Sequence, residues 1–288
     1  MNKIQRPEID DHTALHNLSI NHKVGSYPHL QSSVATIRQG YTQYESSCGN
    51  AFLIENVSIS PEIAAHLKSH YKAPPKDLKH IITLRKATEH HTCPMCGSFH
   101  RGTLDHLLPQ GGYAAFTVFS LNLVPACKCN SKRQDVLIGS NPNERILHPY
   151  FDDCLTERLI AAHFEDLGPI PKVKIRLCVD NTHPEYSAIA FHFRTIVEQT
   201  AITHYLRDRW IDMCRKPSLI VRGLKLNPST LESLRKILEE ELDMLDDTHR
   251  SKNNWNSIFM AGLLDPNVLH WLFQQIHILG RPPNGPLV

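Results

Sequence analysis

The spacing of apolar residues changes along the chain. Between Pro61 and Lys72, Ile63, Ala64, Leu67 and Tyr71 share one helical face. Ser60 is placed to cap that helix and Pro61 suits its first turn. Pro74-Pro75 breaks the pattern, and a second short helix is expected over Lys76–Glu89. Residues 172–180 alternate: Val173, Ile175, Leu177 and Val179 face one way, Lys172, Lys174, Arg176 and Asp180 the other, which predicts a half-buried strand. A second strand, or the entry to a helix, follows at Ser187–Phe193. From Thr195 the spacing is helical, with Ile202, Leu206, Trp210 and Met213 in register. Ser229 and Glu232 fit a capping box ahead of a face made by Leu231, Leu234, Leu238, Leu242 and Leu245. The opposite face carries Glu239, Glu240, Asp243, Asp246 and Asp247, which reads as a solvated face or as a docking surface for a basic partner. Trp210, Trp255 and Trp271 are expected in the helical core. Residues 1–50 are polar and His-rich with little periodicity, and the tail 280–288, with three Pro and two Gly, is expected to fray.

The 288 residues suffice for one large domain or two modest ones. With 41% hydrophobic and 21% charged residues, the chain is neither largely disordered nor collagen-like. Thirty-one Lys+Arg against 29 Asp+Glu leave a net charge of +2, so nucleic-acid binding would need a local basic surface. The first residues contain no apolar run of the signal-peptide kind. The uncharged stretch Leu107–Cys127 is long enough to span a bilayer but holds Pro109, Gln110, Gly111, Gly112, Asn122 and Pro125. It reads as a buried part of a soluble domain. The expected setting is cytoplasmic, without membrane contact, with the eight cysteines reduced.

Four of those cysteines are clustered. Cys93-Pro94-Met95-Cys96 is a C-x2-C knuckle, and Cys127-Lys128-Cys129 a second pair, with 30 residues between Cys96 and Cys127. Two such pairs suit one tetrahedral Zn2+, and four thiolates leave no open position, so the zinc would be structural. The alternative is a set of buried reduced thiols.

Between and after the pairs run Thr103-Leu104-Asp105-His106-Leu107-Leu108-Pro109 and Asn122-Leu123-Val124-Pro125-Ala126-Cys127-Lys128-Cys129-Asn130-Ser131-Lys132-Arg133. This series resembles the HNH endonucleases of the ββα-metal (His-Me finger) type. Their pattern runs C-x2-C, D-H-x-x-P, N-L-x-P-x-C and C-N-x-x-K, and the match covers Cys93–Arg133, 41 of 288 residues. The chain departs from it in the last cysteine pair, where one residue replaces the usual two. That puts the fourth zinc ligand between Cys129 and a nearby histidine, His91 or His100. The resemblance implies that Asn122 braces the loop and orients His106, and that Ser131, Lys132 and Arg133 open the helix of the unit.

The chemistry can also be argued from the residues. Phosphodiester hydrolysis needs an activated water and neutralisation of developing charge. A neutral His106 can take the water's proton. Asp105, on the other side of an extended backbone, and Asn130 offer oxygen ligands that suit a catalytic Mg2+ or Mn2+. Lys132 and Arg133 can contact phosphates. Each residue also has a plainer role: His106 in the surroundings of the zinc, Asn122 as a turn cap, Asn130 as a helix cap, Lys132 and Arg133 as surface charges.

The expectation is an α+β, mostly helical protein in three parts. Residues 1–80 form a mostly helical, polar region, 81–150 a zinc-stapled ββα core, and 151–288 an α/β-to-helical region that binds DNA or a partner. The expected function is metal-dependent cleavage of DNA. Segment 141–152 is similar to one that follows the core in bacterial HNH proteins acting with an ATPase in phage defence; the plainer reading is a loop packed by Leu147, Tyr150 and Phe151. The competing function is a non-catalytic zinc-bound nucleic-acid-binding or adaptor module.

Overall fold

The computed structural model describes residues 1–86, 92–99 and 102–288. Helix outweighs strand, 49% to 8%, which makes the chain α+β and mostly helical. The first 86 residues carry α1 (Asp11–Ile20), α2 (Val34–Ser46), α3 (Pro61–Lys72) and α4 (Lys79–Lys86). In α3 the Ser60 side chain accepts from the Ile63 N–H, and Ile63 and Leu67 are buried. Helices α1 and α2 lie where no periodicity stood out. In α1 the apolar anchors are only Leu15 and Leu18, and α2 buries Ile37 beside two tyrosines, Tyr41 and Tyr44. Over the expected helix 76–89 the chain forms one 3-10 turn, Lys76–Leu78, then α4, and residues 87–89 lie outside the described residues.

Two small antiparallel hairpins follow. Strands β1 (Thr103–His106) and β2 (Leu123–Ala126) pair with Asp105 opposite Val124 and His106 opposite Leu123. Helix α5 (Lys128–Lys132) leaves β2 directly. Strands β3 (Ile160–Glu165) and β4 (Lys172–Leu177) pair with Ile160 opposite Leu177. The alternating stretch is thus a strand, ending at Leu177 rather than at residue 180. The Ser187–Phe193 stretch is helical and mostly falls in α6 (Tyr186–His192). Then come α7 (Ile202–Arg215), α8 (Leu231–His249), α9 (Trp255–Leu263) and α10 (Pro266–Ile276).

One core lies around β3, β4 and α7–α10, with Trp210 fully buried in it. Gly262 of α9 crosses β3 so closely that a Cβ there would sit 2.7 Å from the Ala162 Cβ. A second core gathers α1–α4 with Phe116, Phe119 and Leu123. The stretch 107–127 enters it through Leu108, Ala115, Phe116, Val118, Phe119 and Leu123, and among the described residues no helix is long and apolar enough to cross a membrane.

The start of α8 and the C-terminal tail also differ from expectation. The α8 box forms one residue later, between Thr230 and Ser233, because Thr230 is the residue with extended backbone at the helix start. The tail does not fray: the Leu287 N–H donates 2.8 Å to Cys214 O, its side chain is buried, and Asn284 accepts from the Ser218 N–H. On the acidic face of α8, Asp246 is half-buried and paired with Arg158, so it does not belong to a free surface.

Candidate functional site

The four cysteines converge. All four sulfurs lie within 4.8 Å of one another, with Cys93–Cys129 at 3.7 Å and Cys96–Cys127 at 3.5 Å. A tetrahedron with Zn–S bonds of about 2.3 Å has edges of about 3.8 Å, so the spacing fits one zinc ion. The sulfurs also accept backbone N–H groups, Cys127 N to Cys93 Sγ at 3.4 Å and Cys129 N to Cys127 Sγ at 3.3 Å. Such bonds favour thiolates. The single-residue spacing is accommodated because Cys127 caps α5 with its sulfur and Cys129 sits in the first turn. His91 and His100, the alternative ligands, lie outside the described residues.

The knuckle is held from outside as well. The Trp255 indole N–H donates to Cys96 O at 2.9 Å, and His192 Nε2–H donates to Met95 O at 2.7 Å. Trp255 therefore serves the cysteine cluster as well as the helical core.

Asp105 and His106 leave β1 in different directions. Asp105 is half-buried, and its Oδ2 accepts from Asn130 Nδ2 at 2.9 Å and from Ser131 Oγ at 3.4 Å, both on α5. His106 is buried, and its Nε2 lies 2.9 Å from Thr117 O. A carbonyl only accepts, so Nε2 carries the proton and Nδ1 keeps the lone pair. Gln110 Nε2 stands against the ring, 3.3 Å from that Nδ1, where it can donate, and 3.1 Å from Nε2. Burial holds the imidazole below its ordinary pKa, against the raising effects of Thr117 and Asp105. It is neutral at pH 7. The Tyr71 ring of α3 meets the imidazole edge-on at 4.4 Å.

Asn122 is fully buried. Its Oδ1 accepts from the Leu108 N–H at 2.7 Å, and its Nδ2 donates to Leu108 O at 3.1 Å and Phe116 O at 3.2 Å. These bonds fix the loop that presents Thr117. Behind Asn122 stand Tyr44, whose hydroxyl donates to its Oδ1, and His148, 3.0 Å from that hydroxyl. The Tyr150 N–H donates to His148 Nδ1, which leaves the proton on Nε2. Burial pushes His148 down to about 3. Leu147 and Tyr150 are buried and Phe151 partly so, consistent with a packed loop over 141–152.

Asn130 is a brace in this arrangement. Its Nδ2 also donates to His106 O, and its Oδ1 accepts from Arg133 Nε at 2.9 Å. Arg133 is buried and turned inward. Its guanidinium donates to the carbonyls of Leu107, His106 and Val136, which leaves it poorly placed to meet a phosphate from solvent. Burial lowers it to about 10, so it stays cationic. Lys132 is exposed and donates to Gln199 O. Sequence reasoning passed over Thr117, Gln110, Tyr71 and Tyr44, because none stands at a motif position; they meet the site only through the fold.

Among known proteins, the chain is similar to Protein ea31 of Escherichia phage lambda, 36% identical over 76 residues. The match covers 25% of this chain and 26% of that protein, so the shared stretch is about a quarter of the relative's length. No family model matches the chain, and no solved structure matches it.

Two outcomes follow from the site. Metal analysis should find one zinc per chain, lost in Cys129→Ala together with the thermal stability of the fold. His148 is neutral when folded but protonates near pH 6.5 when unfolded, so the unfolded chain binds the extra proton in acid. Its contribution should therefore drain away as pH falls from about 6.5 toward 3, at up to about 1.4 kcal/mol per pH unit. Urea unfolding at pH 7 and pH 5 should show a smaller acid loss in His148→Gln than in the wild type.

Proposed function

We propose that the chain is a divalent-metal-dependent endonuclease of the HNH, ββα-metal type, cleaving DNA. The carrying observation is the meeting of the Asp105 carboxylate with α5, next to an imidazole whose Nε2–H is committed to Thr117 O. That commitment makes Nδ1 of His106 the basic atom. Within the proposal, β1, β2 and α5 are the ββα unit and the cysteine cluster is its structural zinc site.

The residues divide the work. His106 takes the attacking water's proton at Nδ1, and Gln110 yields its place there to the water. Asn122 holds the loop that keeps the tautomer. Asp105 would hold the Mg2+ or Mn2+ ion, whose oxygen preference it suits. When bound, that cation supplies charge neutralisation on the phosphate and the leaving oxygen. Asn130 would join Asp105 as a ligand only with its amide turned over. That turn sets its oxygen against His106 O and gives up the bond from Arg133. Arg133 supports the site from beneath, and Lys132 is the motif cation placed for a backbone phosphate. The near balance of charge, +2 overall, supports a setting with a partner that supplies the grip on DNA, an ATPase in anti-phage defence or restriction.

A second reading, a non-catalytic zinc-bound nucleic-acid-binding or adaptor module, is favoured by two observations. The sulfur cluster fits zinc closely, while the Asn130 oxygen faces Arg133 rather than the Asp105 side. Plasmid cleavage in Mg2+ or Mn2+ separates the two. The purified chain should relax or linearise plasmid, and His106→Ala, with its zinc intact, should be slower by about 10²–10⁴-fold. Equal cutting by both would remove His106 as the base. Cutting by neither, with or without the partner, would favour the binding module.

A further inference from the structure

Arg85 lies outside the motif segment, at the end of α4, yet it reaches the candidate site through one ring. Its guanidinium carbon stands 4.6 Å from the Tyr71 ring centroid. That ring meets the His106 imidazole at 4.4 Å between centroids, and the Tyr71 hydroxyl donates to Leu104 O on β1. Tyr71 is thus fixed to the strand that carries Asp105 and His106, with Arg85 laid on it. The guanidinium is no further from the imidazole centre than those two distances placed end to end. One phosphodiester and its neighbour can touch both groups.

Arg85 also differs from Arg133 in what it has left to give. Arg133 is buried and spends its donors on carbonyls. Arg85 is exposed, and two of its nitrogens donate to Tyr71 O and Lys72 O, the last carbonyls of α3. A guanidinium has five N–H donors in a planar fork that suits phosphate oxygens. Among the described residues no carboxylate forms an ion pair with it within 4.0 Å. The ring and the α3 carbonyls hold the fork in one orientation, so less freedom is lost when it binds.

We propose that Arg85 binds the nucleic-acid backbone next to the reacting phosphate. This rests on the nuclease reading for its place in a reaction, although the contact itself can be measured without cleavage. The other role open to it is purely structural, capping α3 and covering Tyr71.

The test uses the full chain with His106→Ala, binding a short duplex DNA of fixed sequence at several salt concentrations. Each phosphate contact contributes about 0.9 to the slope of log affinity against log salt. Adding Arg85→Gln should lower that slope by about 0.9, with zinc content unchanged. Arg85→Lys keeps the charge and should keep the slope, while weakening binding at every salt concentration. That variant also covers the case in which Arg85→Gln fails to fold. An unchanged slope in Arg85→Gln, a slope lost in Arg85→Lys, or no duplex binding at all overturns the proposal. If the slope falls as expected but the wild type never cuts, with or without the partner, the nuclease reading fails and the phosphate contact stands.

Discussion

The four sulfurs of Cys93, Cys96, Cys127 and Cys129 converge from parts of the chain that are each too short to be stable alone. Strands β1 and β2 have four residues each and α5 has five. A two-stranded hairpin and a helix of little more than one turn are both marginal in water. A single ion among four thiolates would turn them into one rigid body, and its binding energy would become folding energy. The surroundings are built for the cluster. Gly97, just past the knuckle, has φ +79°, and a Cβ there would fall 2.0 Å from Asn253 O. Its carbonyl accepts the Trp255 N–H, and Met95 and Cys96 carbonyls take His192 and the Trp255 indole. The cluster is therefore where the helical C-terminal region grips the motif segment.

From that staple the site follows. Cys127 follows β2 as the cap of α5 and Cys129 lies in its first turn, so Asn130 is carried to Asp105 without a long loop. Arg133, one turn later, gathers carbonyls at the end of β1 and the loop beyond it. The carbonyls offset only part of the cost of burying this cation, whose pKa burial still lowers, and its removal would leave them without partners. On the far side, Asn122 and Tyr44 fix the loop that presents Thr117 to His106. The acid and the imidazole thus sit on one short strand, each oriented by a different neighbour.

What the sequence disclosed was local. Ser60, Pro61 and the Ile63–Leu67 spacing specify α3 because cap and apolar face agree. The cysteine spacing disclosed the two pairs, because chelation depends on a few adjacent residues, but it left the fourth ligand between Cys129 and a histidine; only the fold brings Cys129 into the cluster. What it hid was decided at long range. Ile160, Ala161 and Ala162 are buried in succession, so β3 is covered on both faces and shows no alternation. Nothing near Arg133 says that it turns inward; only the carbonyls waiting there decide it. The proline-rich tail predicts no helix, and is silent on whether its backbone finds partners such as Cys214 O. Tyr71 read as one more apolar position on α3, and only the packing of that helix against β1 brings it to His106.

The proposed metal-dependent phosphodiester-cleaving centre of Asp105 and His106 stands beside the cysteine cluster. Its most direct test is a crystal structure of the His106→Ala chain with duplex DNA and Mn2+, with anomalous signal recorded at the zinc and manganese edges. Zinc is expected among the four sulfurs and manganese on the Asp105 carboxylate, against a backbone phosphate. Zinc in place with DNA bound elsewhere, and no manganese at Asp105, would contradict it and leave a zinc-stapled binding module.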